Sequence, residues 1–290
     1  KLNLAGVYYD QIPERYYPNK VKAPHLFGYV KEVDRLIRRD LSNRELYELG
    51  DLVGWSGLEK QYESYLMGKR GTYFFEVDAS GREVGPASEL VDTRPDPGNN
   101  IQTTIDHNLQ FFIEKLMDNR KGVLLIGKPE TGGILAATSS PDYSPDLFTG
   151  LTTESEWKNI KDDPNTPLIN RYIQGTYIPG SIIKMITQIA ILKDGNYDLN
   201  MTHYCPGFYQ YGDRIYGCWV TNGHGNVNMI QAMSMSCDVF FYKAVQLIDI
   251  DKLHNTFKQF GFGKKTKIDI PNELAGLVPN KAYMYQRYGK

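Results

Sequence analysis

The pattern of apolar and polar residues in the first third of the chain predicts short, mixed elements. A helix is predicted over 56–66, because a serine can cap its start and its apolar residues recur on one face. A strand is predicted over 72–78 from its aromatic and β-branched residues. Weaker patterns predict a helix over 44–49, a strand over 7–9 and a strand end at 14–18.

The rest of the chain has stronger periodicity. A helix over 109–117 is followed by two apolar runs, 122–126 and 133–137, whose Pro- and Gly-containing connection predicts an antiparallel hairpin. A loop rich in Ser, Pro and Asp is predicted from 139 to about 166. Further helices are predicted after Ser181, over 229–235 and over 239–248, with an irregular stretch before the second.

Residues 92–100 form the best candidate for a domain boundary, because they contain two prolines and a glycine and lack apolar periodicity. A length of 290 residues favours about two domains, so we predict one over 1–100 and a second over 101–290. The first shows no motif for chemistry, and we expect it to be a structural or partner-binding module.

Composition excludes one class of partner. The chain has 33 basic and 34 acidic residues and no basic stripe, so no nucleic-acid surface is predicted. Its 21 tyrosines suit a surface that handles sugars or peptides. No apolar stretch approaches the roughly 18 residues that span a bilayer, and no signal peptide opens the chain. The abrupt ends at Lys1 and Lys290 are typical of a fragment, outside which a membrane anchor would not be visible.

Candidate chemistry begins at Ser181 and Lys184, where Pro179 and Gly180 precede an apolar helical pattern. Ser181 is predicted at or just inside a helix N-terminus, with Lys184 on the same face. A serine hydroxyl needs a base to attack a carbonyl, and a lysine can be that base where burial lowers its pKa. The N–H groups of the helix start would stabilise an oxyanion above Ser181.

The Ser-x-x-Lys spacing has a plain alternative, because it also occurs from Ser155 to Lys158. There the serine has acidic neighbours and no preceding Pro-Gly turn, and it is predicted to be a helix N-cap. Ser181 could likewise be only the start of a helix that packs on a core. The other motifs in the chain are needed to choose between a nucleophile and a plain helix start at Ser181.

A tight turn between two predicted helices supplies the second candidate group. Ser236 and Asp238 flank Cys237 there, and the turn could present both polar side chains to one cleft. The alternative is that Ser236 or Asp238 only caps the second helix.

All three cysteines and one histidine lie within 33 residues of sequence: Cys205, Cys218, His224 and Cys237. Three thiolates and an imidazole make the tetrahedral set that structural zinc prefers, although the spacing is longer than in a zinc finger. A Cys205–Cys218 disulfide with Cys237 as a buried thiol, and three free thiols, are the alternatives. A metal would fix the turn containing Cys237 to the irregular stretch before it.

Together these residues resemble the class B penicillin-binding proteins of the elongation type, the penicillin-binding protein 2 group. Ser181 to Lys184, after Pro179-Gly180, match the family's Ser-x-x-Lys motif, and Ser236 to Asp238 match its Ser-x-Asn motif in part, 55 residues downstream. Supporting matches lie over 137–141, 162–167, 171–175 and 222–225, and those to the family's pedestal lie over 15–18 and 57–62.

The resemblance implies an α+β penicillin-binding transpeptidase fold, with helices around an antiparallel sheet, preceded by a mixed α/β pedestal domain. Two departures stand out. Asp238 replaces the asparagine of most relatives, and an acid there favours the charged ammonium of the lysine. The third motif, Lys-Thr-Gly, is absent, since 264–267 comes too early and lacks the glycine. We expect that the C-terminal part is missing, with half of the oxyanion hole and the site for the substrate carboxylate.

The implied reaction is acyl transfer on a peptidoglycan stem peptide. Ser181 would attack the D-Ala-D-Ala carbonyl with Lys184 as base, Ser236 would pass a proton to the leaving D-Ala, and Asp238 would hold Lys184 and bind a substrate amide. The amine of a second stem peptide would then form the cross-link. β-Lactams would mimic D-Ala-D-Ala and stall at the acyl-enzyme.

The resemblance also implies a setting and partners. The protein would face the periplasm on a single N-terminal inner-membrane anchor, and would act with a SEDS-family glycan polymerase of the RodA type and elongation-complex proteins such as MreC. The alternatives are a non-catalytic penicillin-fold sensor or structural partner of a glycan polymerase, and a serine β-lactamase. A Lys-Thr-Gly strand in the full-length gene favours the enzyme, and rapid hydrolysis of antibiotic favours the β-lactamase.

Overall fold

The computed structural model describes residues 15–17, 21–87, 90–148 and 152–289. The strand predicted over 7–9 lies outside these residues, as do the first and last residues of the strand end predicted at 14–18. Within the described part, the chain separates into two compact units. One comprises the described residues up to 175 together with 269–272, and the other comprises 176–268 with 273–289.

The first unit contains short helices and antiparallel hairpins. Its helices are α1 (Pro24–Phe27), α2 (Arg35–Asp40), α3 (Gly57–Gln61), α4 (Glu63–Leu66), α5 (His107–Met117), α6 (Glu154–Lys161) and α7 (Arg171–Gln174). Its strands are β1 (Val30–Glu32), β2 (Leu52–Gly54), β3 (Phe75–Val77), β4 (Glu83–Pro86), β5 (Gly122–Lys128) and β6 (Gly133–Ser140), paired β1–β2, β3–β4 and β5–β6.

A buried glutamine joins helix α5 to the β5–β6 hairpin. The Gln110 side chain donates to the Ala137 carbonyl at 2.9 Å and accepts from the Ala137 N–H at 2.8 Å. The amide thus occupies both backbone groups of a buried strand residue that would otherwise lack partners. The predicted hairpin is present, with Leu125 opposite Ala137 in its register.

The second unit carries both candidate motifs. Its strands are β7 (His203–Cys205), β8 (Phe208–Tyr211), β9 (Arg214–Gly217) and β10 (Gly225–Val227), paired β8–β9 and β7–β10. Its α-helices are α8 (Lys184–Lys193), α9 (Met229–Ser234), α10 (Asp238–Ala244), α11 (Ile250–Gln259) and α12 (Lys281–Tyr288).

The core of the second unit is built on α10. Phe240 and Val239 are fully buried, and they pack in one cluster with the three cysteines. At about 1.5–3 kcal/mol for each large apolar side chain, this burial holds α10 in one position. Because Asp238 is the first residue of α10, the core also fixes the place of this carboxylate.

Several predicted elements of the first unit are wrong in detail. The helix predicted over 56–66 is broken at Tyr62 into α3 and α4, and Ser56 makes no capping hydrogen bond. Only a 3₁₀ turn, Arg44–Leu46, forms within 44–49. The segment predicted as a linker over 92–100 is partly paired, with antiparallel bridges from Thr93 and Asp96 back to the chain before β3. The division into domains at this segment stays a prediction.

The second Ser-x-x-Lys copy also differs from expectation. Thr153, not Ser155, is the N-cap of α6, and it forms a capping box with Glu156. Ser155 lies in the first turn and is exposed. Helix α6 itself falls inside a stretch that was predicted as loop, because the apolar residues there are few.

In the second unit, the stretch predicted to be irregular contains the β7–β10 pair and the β8–β9 hairpin. The helix predicted over 239–248 begins one residue earlier and ends at Ala244, where a 3₁₀ turn, Val245–Leu247, continues it. Among the described residues, no helix combines the length and apolarity needed to cross a membrane.

Candidate active site

Ser181 lies in a 3₁₀ turn, Gly180–Ile183, that leads directly into α8. Gly180 has φ of 60°, a left-handed value that glycine adopts without strain. Ser181 is exposed, whereas Lys184, the first residue of α8, is buried. The N–H groups at the start of such a turn have no partner within it, so they are available to an oxyanion.

The Lys184 ammonium is surrounded by oxygen acceptors. Its Nζ donates to the Ser236 carbonyl at 2.7 Å, to Ser236 Oγ at 3.0 Å and to Asp238 Oδ1 at 2.6 Å. Three acceptors match the three N–H bonds of an ammonium group. The side chain is therefore held rigidly, because each donor has a partner.

Ser181 joins this network through the second serine. Ser236 Oγ lies 3.0 Å from Ser181 Oγ in a hydrogen bond, and it also receives the bond from Lys184. The hydrogen bonds of Lys184 lead to Ser236 and Asp238, so the lysine is linked to Ser181 through the Ser236 hydroxyl. A hydroxyl can donate and accept, so Ser236 can pass a proton in either direction.

The turn at 235–237 ends α9 with an uncommon residue. The Cys237 N–H bonds the Ala232 carbonyl and the Ser236 N–H bonds the Met233 carbonyl, which is the Schellman arrangement. Its left-handed position normally holds glycine, but here Ser236 has φ of 53°. Such strain is typical of functional sites, because the side chain is kept at a conformational cost.

The capping alternative for this turn is wrong. The N-cap of α10 is Cys237, which makes no side-chain capping bond, and Asp238 is the first helical residue. The Asp238 carboxylate is instead shared between Lys184 Nζ and the Trp219 N–H, at 2.6 and 3.3 Å. Ser236 and Asp238 therefore both face Lys184.

Trp219 is a residue of the site that sequence reasoning missed. Its indole N–H donates to the Met235 carbonyl at 3.0 Å, while its backbone N–H reaches Asp238 Oδ2. Trp219 thus contacts the residues on both sides of Ser236 and Cys237. Neither contact could be recognised from a sequence motif. The bond to Asp238 uses the backbone N–H of Trp219, and the bond from the indole uses a backbone carbonyl, which every residue carries.

The four candidate metal ligands come together beside this turn. One ligand atom from each of Cys205, Cys218, His224 and Cys237 lies within 4.8 Å of all the others. His224 Nδ1 is 3.7 Å from Cys205 Sγ and 3.5 Å from Cys218 Sγ. A tetrahedral zinc ion separates its sulfur and nitrogen ligands by about 3.6 Å, so the donor set fits zinc. The three cysteines are free thiols in the structure.

The thiols differ in their surroundings. The pKa of the Cys218 thiol is below its ordinary value. Burial alone would raise this pKa, but the backbone N–H groups of Val220, Asp238 and Val239 stabilise the thiolate more strongly than burial destabilises it. Burial, together with Cys205 and Cys218, raises the pKa of the Cys237 thiol to about 12. Several sulfurs at such short range can ionise together only if a cation is present.

A serine hydroxyl linked through a second hydroxyl to a buried lysine is an arrangement suited to acyl transfer by a serine–lysine site. A family model described as the penicillin binding protein transpeptidase domain matches residues 122–289, and one for the penicillin-binding protein dimerisation domain matches 1–103. The chain belongs to the penicillin-binding protein transpeptidase family, which confirms the class and the fold predicted from its motifs.

Three relatives illustrate the likeness. The peptidoglycan D,D-transpeptidase MrdA of Escherichia coli K12 is 33% identical over 290 residues, which cover 98% of this chain and 45% of the relative. A complex of penicillin-binding protein 2 with MreC from Helicobacter pylori matches with 35% identity and a TM-score of 0.82 over 96% of this chain and 51% of that chain. A peptidoglycan synthase complex that coordinates polymerization and crosslinking matches with 29% identity and a TM-score of 0.75. The match covers 95% of this chain and 50% of that chain.

The chain thus spans about half the length of these relatives. Its candidate site residues come from the 3₁₀ turn before α8, from the first residues of α8 and α10, from the α9–α10 turn and from the loop around Trp219.

Proposed function

We propose that the protein is a D,D-transpeptidase that cross-links peptidoglycan stem peptides through an acyl-enzyme on Ser181 during cell elongation, and is a target of β-lactams. The hydrogen-bonded chain from Ser181 through Ser236 to Lys184 is the observation that carries the proposal. Relatives that bear this name and share this fold support it.

The reaction has two halves. Ser181 Oγ attacks the carbonyl carbon between the two D-Ala residues, and its proton moves through Ser236 Oγ to the amine form of Lys184. The C–N bond breaks as this proton passes from Lys184 through Ser236 Oγ to the leaving D-Ala nitrogen, which departs as a free amine. The amine of a second stem peptide then attacks the ester, and Ser181 leaves with a proton. Asp238 orients Lys184 throughout, and N–H groups at the start of α8 stabilise the oxyanion.

We also propose that Cys205, Cys218, His224 and Cys237 hold a structural zinc ion, in preference to a Cys205–Cys218 disulfide. The close approach of the four ligand atoms supports this. The ion would supply no reactive group, since all four positions of a tetrahedral site are filled by protein. Its effect would be positional, because Cys237 lies between Ser236 and Asp238.

The cellular setting is also a proposal, and it rests on the family resemblance. We propose that the protein acts at the periplasmic face of the inner membrane, on a single N-terminal anchor outside this chain, with a SEDS-family glycan polymerase of the RodA type. A partner of the MreC type is supported by the similar complex from Helicobacter pylori. The similar peptidoglycan synthase complex supports action beside a polymerase.

A peptide-exchange assay separates this function from its alternatives. The full-length protein is incubated with a stem pentapeptide and a labelled D-amino acid as the amine acceptor. We expect label to replace the terminal D-Ala, and penicillin to abolish the exchange through a long-lived adduct. A sensor that forms neither product nor adduct, or an enzyme that rapidly hydrolyses penicillin, would contradict the proposal.

Replacing Ser236 by glycine is expected to separate stability from activity. The free energy of unfolding should rise by about 1 kcal/mol, because glycine tolerates the left-handed backbone of this position. Formation of the penicillin adduct should slow about a hundredfold, because the hydroxyl between Ser181 and Lys184 is lost. Urea unfolding and adduct kinetics measure the two effects.

Ser236→Ala is the matched control for this variant. It lacks the hydroxyl but keeps the Cβ, so we expect the same slow acylation without the gain in stability. A glycine variant that reacts as fast as the wild type would mean that Ser236 serves only the turn.

A further inference from the structure

An exposed group of tyrosines lies on the β8–β9 hairpin beside α10. The strand register places Tyr209 opposite Tyr216 and Tyr211 opposite Arg214, so these four side chains share one side of the hairpin. Tyr242 of α10 packs beside them, with its ring 6.3 Å from that of Tyr209 and 5.7 Å from that of Tyr216. We call Tyr209, Tyr211, Tyr216 and Tyr242 the tyrosine face.

Tyr209 and Tyr242 are half-buried against the core of this unit, whereas Tyr211 and Tyr216 are exposed at its surface. Tyr211 is 62% exposed and Tyr216 is 40% exposed. The rings of Tyr209 and Tyr211 form an offset stack with centroids 6.5 Å apart at 27°, so each ring covers only part of the other's face. With Val245 and Gln246 the rings bound a shallow hollow of about 220 Å³. Clustered exposed rings of this kind mark binding surfaces.

The tyrosine face continues from the candidate active site. Asp238, Tyr242 and Gln246 are spaced four residues apart along α10 and the turn that follows it, so they lie on one stripe. Tyr242 is therefore about 6 Å along the helix from the carboxylate that holds Lys184. A substrate that extends from Ser181 along this stripe would reach the tyrosine face.

The chemistry of the tyrosine face suits sugar rings. The faces of aromatic rings are negatively polarised and attract the C–H face of a pyranose, while phenolic hydroxyls can bond its hydroxyl edge. Polar groups lie at the rim: the Gln246 amide donates to the Tyr209 hydroxyl at 2.5 Å, and Arg214 lies on the same side of the hairpin. A hollow of about 220 Å³ is smaller than the roughly 300–1,000 Å³ of pockets for drug-sized ligands, and suits one ring.

We propose that the tyrosine face binds the glycan strand that carries the stem peptide, by stacking of its pyranose rings on the tyrosines. This inference rests on the proposed function for the choice of glycan. The stem peptide would then enter the site from a strand held one helical turn away.

A binding experiment with a peptide-free glycan tests the proposal. The protein is titrated with the β-1,4-linked tetramer of N-acetylglucosamine and followed by calorimetry. We expect saturable binding by the wild type and affinity about tenfold weaker for Tyr211→Ala/Tyr216→Ala, since two ring contacts are lost. Ile215→Ala is the matched control, because Ile215 is 69% exposed on the opposite side of the same hairpin, and it should bind like the wild type.

The outcomes separate this inference from the proposed function, because penicillin contains no sugar. A wild-type protein that forms the penicillin adduct but does not bind the tetramer would overturn the inference and leave the function standing. Binding of the tetramer without formation of the penicillin adduct would overturn the proposed function and leave the inference standing. Equal loss in the Ile215 variant, or a dimer that Tyr211→Ala/Tyr216→Ala converts to monomer, would overturn glycan binding at the tyrosine face.

A measurement on the unaltered protein guards against a variant that fails to fold. Amide NMR signals of the wild type are recorded during the same titration. We expect the largest shifts within 209–216 and 242–246. Shifts confined to other parts of the chain would overturn the assignment.

Discussion

Lys184→Met is expected to slow formation of the penicillin adduct by about a thousandfold or more. Methionine replaces the apolar part of the buried lysine side chain but has no amine to take the proton that passes through Ser236. General-base contributions are typically about 10²–10⁴ in rate, and here the orientation of Ser236 is lost as well. Stopped-flow measurement with fluorescent penicillin on the full-length protein gives the rate.

Lys193→Met is the matched control for this variant. Lys193 closes the same helix, α8, where its Nζ bonds the exposed Gln259 side chain. It removes an equal charge from α8 without touching the network around Ser236. We expect acylation at the wild-type rate. If both variants slowed acylation equally, the effect would belong to the charge or stability of α8, and Lys184 would not be the base.

Loss of one metal ligand is expected to have the second large effect. The protein purified without added zinc should carry about one zinc ion per chain, and His224→Ala should retain little of it, because a tetrahedral site needs all four ligands. Structural zinc contributes on the order of 10 kcal/mol of folding free energy in small domains, which is comparable with the whole stability of a protein. The midpoint of thermal unfolding of His224→Ala should therefore lie well below that of the wild type. Elemental analysis measures the zinc content, and calorimetry measures the unfolding midpoint.

His254→Ala provides the comparison for the metal variant. His254 lies on α11 and bonds the Val278 carbonyl through Nδ1, away from the thiols. It should keep both the metal and the unfolding midpoint close to those of the wild type. A wild-type mass that corresponds to one disulfide, with no metal in the sample, would contradict the zinc proposal.

Loss of a proposed zinc ligand should also slow the acylation of Ser181. Cys237 is fully buried and lies between Ser236 and Asp238 in the turn that contacts Lys184. Freeing the ligands of the cluster would allow this turn and the Trp219 loop to move. Slow acylation of His224→Ala, even at temperatures where the protein stays folded, is the expected sign of this coupling.

Much of the site could be predicted because its signals are local. A Pro-Gly turn before an apolar helical pattern placed Ser181 and Lys184, and the break between two apolar runs placed Ser236 and Asp238. The hairpin of β5 and β6 followed from alternating apolar residues and a turn containing Pro and Gly. These patterns depend on the backbone preferences of neighbouring residues, which the sequence states directly.

What the sequence could not predict depends on contacts between distant residues. Ser236 stands between Ser181 and Lys184 only because α9 ends in a left-handed residue, a position for which serine gives no signal. The break at Tyr62 interrupts a pattern that local spacing reads as one helix. The β8–β9 hairpin was missed because its strands are short and largely exposed, so apolar and polar residues do not alternate clearly along them.

Ser155 shows how a motif can mislead. It has the same spacing to a lysine as Ser181, yet it lies exposed in the first turn of α6 and bonds the Thr153 hydroxyl. What distinguishes Ser181 is the buried lysine and the second serine, and both depend on packing of the α9–α10 turn.

The site of covalent attachment tests the central claim most directly. The full-length protein is treated with penicillin, digested and mapped by mass spectrometry. We predict one penicilloyl group, on the peptide that contains Ser181, and none on the peptide that contains Ser155. An adduct elsewhere, or a Ser181→Ala variant that still acquires the group, would contradict it.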